Sequence, residues 1–301
     1  MTAPAPLEPA GEQQLRRYRE LWALTARDAG FQTNSAWLQR VEAGGPHGVL
    51  KIAKPDSDER PGMALLAWWA EQALTHEATL GAARVLRRDA DALVMSQAQE
   101  APALGDPRAF DDGEAFAILV QTVLALHQPL GSPANSDPSP TKPPPTGLVP
   151  LTAVREHVFG IKAVENACFE RWRAFAQSLD VMGASPLPLH GDIHHGNVLW
   201  DSEIEAWVLI DPKGLLGHPA YDFANLFFNP MDQPDRVGQP GRMERLVALI
   251  EAQGAGLVSR QEVLDFAYLY GGMSLLWGWH ETWAPQRLRQ FRQVEALRQS
   301  G

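Results

Sequence analysis

Residues 189–225 read LHGDIHHGNVLWDSEIEAWVLIDPKGLLGHPAYDFAN. Two short apolar runs, 197–200 and 207–211, flank a polar turn at 201–205. The pattern predicts a β-hairpin, with Asn197 at one end and Asp211 at the other brought to one mouth. His190, Asp192 and Asn197 share the turn that leads into it. A carboxylate such as Asp192 can take the proton of an attacking hydroxyl, while a side-chain amide oxygen and a second carboxylate are the hard donors that nucleotide-bound Mg2+ requires. The chemistry implied is phosphoryl transfer.

Asp192 and Asn197 stand five residues apart, the separation found between the catalytic-loop Asp and Asn of protein kinases. Beyond that spacing, 189–230 with IHHGNVL, IDPKGLLG and YDFANLFFNP resembles the aminoglycoside and hydroxyurea resistance kinases, which include streptomycin kinases. The weaker part of the resemblance extends from about Phe31 to Trp283. It implies an α+β, protein-kinase-like bilobal fold and transfer of the ATP γ-phosphate to a hydroxyl of a small molecule. It also implies that Asp192 is the catalytic base, that Asn197 and Asp211 hold Mg2+, and that Asp222 braces the catalytic loop, with His190 supporting its backbone. Read without the resemblance, Asp222 is a helix N-cap carboxylate, and the two roles are compatible.

Upstream, strands are expected around 36–41 and 48–53, joined by the turn Gly44-Gly45-Pro46. Side-chain alternation puts Val49, Lys51 and Ala53 on one face of the second strand and Leu50 and Ile52 on the other. A lysine on an apolar face needs an anion, and Lys51 resembles the family's ATP-phosphate lysine. Glu59 best matches the acid that pairs with it. Glu71 and Glu77, in the helical stretch 62–80, read as a solvated face. The extra residues 70–80, where the family has a short Gly-rich turn, suggest a helical extension. The polar turn 31–35 has none of the glycines of a protein-kinase phosphate loop. The Ser35 hydroxyl is a candidate phosphate contact, although a plain polar turn before a strand reads the same way.

An opening helix follows from Leu15, Tyr18, Leu21, Trp22 and Thr25, with Gly30 as its expected C-cap. A strand at 92–95 leads to Ser96, Gln97 and Ala98 as the hinge, where family members tend to carry Glu-Arg. The resulting division is an N-lobe for nucleotide at 1–97 and a C-lobe for catalysis and acceptor at 98–301. Within the latter, 131–150 is a Pro-rich surface connector. Helices are expected from Ala115 to His127, over 151–181 and over 241–297, with His127 as a structural hydrogen-bonding residue.

Composition narrows the partners. A formal net charge of −10 argues against general nucleic-acid binding and suits a cationic acceptor. The single cysteine, Cys168, excludes an intramolecular disulfide and reads as a packed thiol. The N-terminus lacks the apolar core of a signal peptide and the longest apolar run, 63–70, is too short to span a membrane, so a cytoplasmic enzyme is expected. In the motif YGGMSLLWGWHETW, Ser274, Trp277 and Glu281 fall roughly on one helical face, and Trp277 beside Glu281 suits a cationic sugar or guanidinium. A streptomycin-like aminocyclitol is the leading acceptor. Hydroxyurea or another small metabolite, a catalytically dead nucleotide-binding module, and a metallohydrolase built on His190, Asp192, His194 and His195 are the alternatives.

Overall fold

A computed structural model describes residues 6–76, 81–99, 102–127, 142–161, 167–254 and 256–300. In chain order its elements begin with α1 (Pro9–Trp22), β1 (Thr25–Ala26), β2 (Phe31–Gln32), β3 (Ala36–Glu42), β4 (His47–Ala53), α2 (Glu59–His76), β5 (Val85–Arg88) and β6 (Ala92–Ser96). Then follow α3 (Asp112–His127), β7 (Val149–Pro150), α4 (Leu151–Gly160), α5 (Ala167–Ser178), β8 (Leu187–Leu189), β9 (Val198–Asp201), β10 (Ala206–Leu209) and β11 (Leu215–Gly217). The chain closes with α6 (Tyr221–Ala224), a 3-10 turn (Asn225–Phe228), α7 (Pro234–Val237), α8 (Arg242–Gln253), α9 (Arg260–Trp277) and α10 (Ala284–Gln299). The fold is α+β, with its strands concentrated toward the N-terminal part and its helices toward the C-terminal part.

The chain divides into two compact units, and the division is not a single cut. The first comprises Met1–Ala101, Pro129–Gly147 and Leu199–Gly214, the second Pro102–Gln128, Leu148–Val198 and Leu215–Gly301. Backbone pairing explains why 199–214 joins the first: Gln99 N–H donates to the Trp200 carbonyl at 2.7 Å, and Ala83 N–H to that of Leu209 at 3.0 Å.

In the first unit the strands run β1-β3-β4-β6-β5, with β2 added on β3. On one face Leu50 and Ile52 pack with Leu15 and Tyr18 of α1; on the other, Val49 and Ala53 pack with Met63 and Leu66 of α2. The expected alternation along β4 is therefore realised, and each face owns a separate apolar cluster. The end of α1 departs from expectation. Ala23, not Gly30, takes the left-handed cap at φ 51°, its N–H bonding the Arg19 carbonyl, and Thr25 leaves the helix to pair with Glu42. Leu21, expected on the buried face of this helix, is 60% exposed. Pairing with β3 outweighs one more helical turn.

α2 runs on to His76, and Glu77 lies outside the described residues. Glu71 meets Arg88 at 2.6 Å and Lys142 at 3.0 Å. Of the Pro-rich run, 131–141 lies outside the described residues. Its later part is anchored: the Lys142 carbonyl accepts from Trp68 Nε1 at 3.2 Å, and Val149–Pro150 forms β7. The Cys168 side chain also lies outside the described residues.

The second unit is organised around α9, which begins with a capping box between Ser259 and Glu262 and buries Phe266, Leu269, Met273 and Leu275. Trp172 of α5, fully buried, donates from Nε1 to the Tyr268 and Leu269 carbonyls at 3.1 and 3.2 Å. A sheet β7-β11-β8 ends at Leu189, which delivers the chain straight into His190. Among the described residues no helix is long and apolar enough to cross a membrane.

One packing contact in the first unit sets the position of Asp211. A Cβ on Gly62 would lie 1.7 Å from the Pro212 carbonyl oxygen, and one on Gly214 would lie 2.3 Å from the Pro61 carbonyl carbon. The backbone after Asp211 is thus seated against the first turn of α2, the turn that carries Glu59. Gly62→Ala is expected to cost about 1–3 kcal/mol, because backbone rather than a yielding side chain must move. The urea midpoint should fall accordingly, and an unchanged midpoint would show that the contact does not constrain the fold.

Candidate active site

β4 places Lys51 opposite Leu38 of β3 and Leu93 of β6, at the centre of the first unit's sheet. Its side chain is buried and reaches two carboxylates, Glu59 at the start of α2 and Asp211 beyond β10. An ammonium taken out of water is strongly disfavoured unless paired, and the two acids supply that pairing. Glu59 is itself buried and also accepts a hydrogen bond from the Ser35 hydroxyl. Ser35 therefore braces the lysine's partner. Its turn is closed by Thr33, whose hydroxyl accepts from the Ala36 N–H at 3.1 Å. Lys51, Glu59, Ser35 and Asp211 thus converge in one place, with Glu59 rather than Glu71 facing the lysine.

Asp211 has φ 61°, one of three non-glycine residues with positive φ among those described. Aspartate tolerates this region better than most residues, but the conformation persists only where surrounding contacts hold it. Those contacts are the Lys51 ion pair, the seat on α2 described above, and Lys213, whose Nζ stands 3.9 Å from Asp211 Oδ2. Lys213 had no assigned part in the sequence reading, although its place between Asp211 and Gly214 puts a second cation at the same carboxylate.

In the second unit the loop after β8 is built on Asp222. This buried carboxylate accepts from the backbone N–H of His190 at 3.0 Å and of Gly191 at 2.7 Å, and from His127 Nε2 at 2.9 Å. His127 is the structural histidine its position implied. Asp222 lies inside α6, whose N-cap is Ala220, so the carboxylate braces the loop and does not cap the helix. Gly191 has φ 82°, a conformation that favours glycine and turns its N–H onto Asp222. The His190 ring accepts the Asp192 N–H at Nδ1, 3.3 Å away, which leaves the ring proton on Nε2.

Asp192 then projects from a loop held at three successive backbone N–H groups. Its carbonyl accepts from Asn197 Nδ2 at 2.9 Å, and its carboxylate Oδ1 accepts from Asn225 Nδ2 at 3.0 Å. Because the Asn197 nitrogen is committed to that carbonyl, the amide oxygen is the atom presented elsewhere, and oxygen is the donor Mg2+ takes. Asp211 offers the other hard donor. Taken singly, the Asn197 amide oxygen and the Asp211 carboxylate are each donors of the kind that a nucleotide-bound divalent cation takes.

The metallohydrolase alternative gains nothing from this geometry. Among the described residues no three His, Cys, Asp or Glu side chains are grouped to hold a metal. His190 is buried beneath the loop, and His194 Nδ1 accepts the Gly196 N–H at 3.0 Å. His195 is pushed down to about 3 by burial, and by Arg242 and Arg236 nearby.

The acceptor candidates fare unequally. Trp277 is the last residue of α9 and is 46% exposed, with its ring edge-on to Tyr270 at 6.5 Å. Glu281 does not share its helical face, because the helix ends at Gly278. Glu281 is exposed in the turn that follows, its N–H bonding the Gly278 carbonyl at 3.0 Å. The break follows from Gly278, which a reading of uninterrupted periodicity passed over. Tyr270 was also missed. Burial and the Asp192 carboxylate both raise its hydroxyl pKa, which marks it as a neighbour of Asp192.

Comparison with known proteins identifies the family. Residues 21–281 match the family described as aminoglycoside/hydroxyurea antibiotic resistance kinase. A streptomycin 3''-kinase of Klebsiella pneumoniae is 33% identical over 262 residues, covering 86% of this chain and 90% of that protein. Among solved structures, a choline kinase from Streptococcus pneumoniae aligns with a TM-score of 0.58 at 14% identity, covering 98% of this chain and all of its own. An aminoglycoside-3'-phosphotransferase of type VIII aligns at 0.54 and 16%, covering 88% of this chain and 100% of that one. These two likenesses establish the protein-kinase-like fold. The chain belongs to the aminoglycoside/hydroxyurea antibiotic resistance kinase family, and is an ATP-dependent phosphotransferase whose acceptor is a hydroxyl of a small molecule.

Proposed function

We propose that this kinase phosphorylates a cationic aminoglycoside of the streptomycin type and thereby inactivates it. The observation that carries the reading is that one chain, one-third identical to a streptomycin kinase, holds both a braced Asp192 and a buried Lys51 ion-paired with Glu59 and Asp211. The acceptor hydroxyl gives its proton to Asp192 as its oxygen attacks the γ-phosphorus. The bond to the β,γ-bridging oxygen breaks and ADP leaves with that electron pair. Lys51 neutralises ATP phosphate oxygens and Glu59 holds the lysine in place. Asn197 and Asp211 would hold Mg2+, which supplies further charge neutralisation on the phosphates. A net charge of −10 favours the approach of a cation, and exposed Trp277 offers a ring face to it.

Replacing the base tests the chemical step. Asp192→Asn should lower kcat at least about a hundredfold while ATP affinity stays nearly intact. Substantial turnover in this variant would remove Asp192 from the role. For the metal, Asp211→Ala should weaken ATP binding in Mg2+ far more than in EDTA. Equal losses in both would indicate damage to the Lys51 pairing instead. At the acceptor end, Trp277→Ala should raise the streptomycin KM roughly 2- to 30-fold with ATP KM unchanged, as expected for loss of a cation–π contact; Glu281→Gln, which removes one exposed charge, should move it in the same direction. A panel of aminoglycosides, hydroxyurea and small neutral alcohols decides the substrate class: phosphorylation of a neutral alcohol alone would leave a kinase without the cationic acceptor.

A further inference from the structure

Asn225 is 4% exposed, and its side chain has a polar partner at each end. Nδ2 donates to Asp192 Oδ1 at 3.0 Å, while Oδ1 accepts from Asn229 Nδ2 at 2.7 Å. The 3-10 turn Asn225–Phe228 places Asn229 one turn on, where its Nδ2 also reaches the Asn225 carbonyl at 3.1 Å. Asn229 is held in turn by its own carbonyl, which accepts from Arg242 Nη2 at 2.8 Å. Arg242 is fully buried, lies over the Phe116 ring and donates from Nε to Asp112 Oδ2 at 2.7 Å. A continuous polar chain thus runs from the start of α3 to the Asp192 carboxylate.

The order of donors and acceptors along this chain has a chemical consequence. An amide has one oxygen and one nitrogen, and only the nitrogen donates. With the Asn225 oxygen engaged by the Asn229 NH2 group, the Asn225 nitrogen faces Asp192 and cannot exchange places with the oxygen. A buried amide is costly to keep in an otherwise apolar turn among Leu226, Phe227 and Phe228, all buried, unless both its ends are used. From this geometry we infer that Asn225, oriented by Asn229, is the positioning residue that fixes the rotation of the Asp192 carboxylate for proton acceptance. The inference rests on Asp192 acting as the base. Asn225 acts through Asp192.

Four variants, assayed for steady-state kinetics with ATP and streptomycin, test it. Asn225→Ala should lower kcat roughly tenfold or more, with ATP KM within about twofold of the parent, because the lost contact is a hydrogen bond to the base and not to Lys51, which serves the ATP phosphates. Asn229→Asp replaces the donor that orients Asn225 by an acceptor. It should turn the Asn225 oxygen toward Asp192 and lower kcat comparably, although Asn225 itself is intact. Asn225→Ser, which can still donate, should recover part of the loss. In the Asp192→Asn background, Asn225→Ala should add little, since a residue acting only through Asp192 has nothing left to act on. Unchanged kcat in Asn225→Ala, a loss of equal size added to Asp192→Asn, or a fall in kcat matched by a raised ATP KM and lowered melting temperature in all variants would overturn the inference. If Asn225→Ala does not fold, Asn229→Asp and Asn225→Ser carry the test. Full activity of Asp192→Asn would be a different failure, that of the base assignment.

Discussion

A buried lysine ammonium between two carboxylates is the interaction around which the first unit is arranged. Lys51 occupies the middle strand of the sheet, and its partners arrive from far apart in sequence: Glu59 from the first turn of α2 and Asp211 from beyond the β9–β10 hairpin. Leaving the charge unpaired there would cost more than most single interactions contribute, so the pairing constrains where α2 and the 211–214 backbone lie. The close approach of Gly62 to Pro212 and of Gly214 to Pro61 is the steric counterpart of that electrostatic demand. The positive φ of Asp211 belongs to the same arrangement, since the ion pair and the seat on α2 together hold a backbone conformation that an isolated aspartate would leave.

The second unit solves a different problem, how to hold a reactive carboxylate without neutralising it. Its answer is to place hydrogen-bond donors on the loop backbone and an amide donor on the base. Asp222 collects three donors, two of them the N–H groups of His190 and Gly191, and His190 takes the Asp192 N–H. The loop's amides are satisfied by buried side chains rather than by a neighbouring strand. Asn197 reaches the Asp192 carbonyl and Asn225 its carboxylate, both through amide nitrogens. An amide fixes a carboxylate's direction while leaving its charge in place for a proton.

Burial decides which polar residues serve these sites. Glu71, on the same helix as Glu59, sits at the surface with Arg88 and Lys142 and is screened there. Glu59, the first residue of α2 and almost inaccessible, faces the lysine. His127 and His190 are likewise interior and act as hydrogen-bonding struts, whereas Trp277 is exposed at the end of α9. Tyr270 contacts that exposed ring and also packs against the buried Tyr221 and Phe228.

Much of this protein is legible in the chain alone. The hairpin of 198–209, the alternation along β4, the helix from Asp112 to His127 and the phosphotransferase motif follow from local periodicity and from residue spacing, which report interactions within a few residues. Family membership is legible for the same reason, because the motif residues are close together. The readings failed where a distant pairing or a local glycine break interrupted the periodicity. α1 stops at Ala23 because the following residues pair with β3, and Glu281 leaves the Trp277 face because the helix ends at Gly278. Asn225 appears in the sequence as one more polar residue after Asp222. Its link to Asp192 spans 33 positions, and its orientation comes from Asn229 and, behind it, an arginine on α8. Side-chain type determined which chemistry was available; only tertiary packing decided which carboxylate meets the lysine and which amide meets the base, because burial and hydrogen-bond geometry are properties of the folded interior rather than of neighbours along the chain.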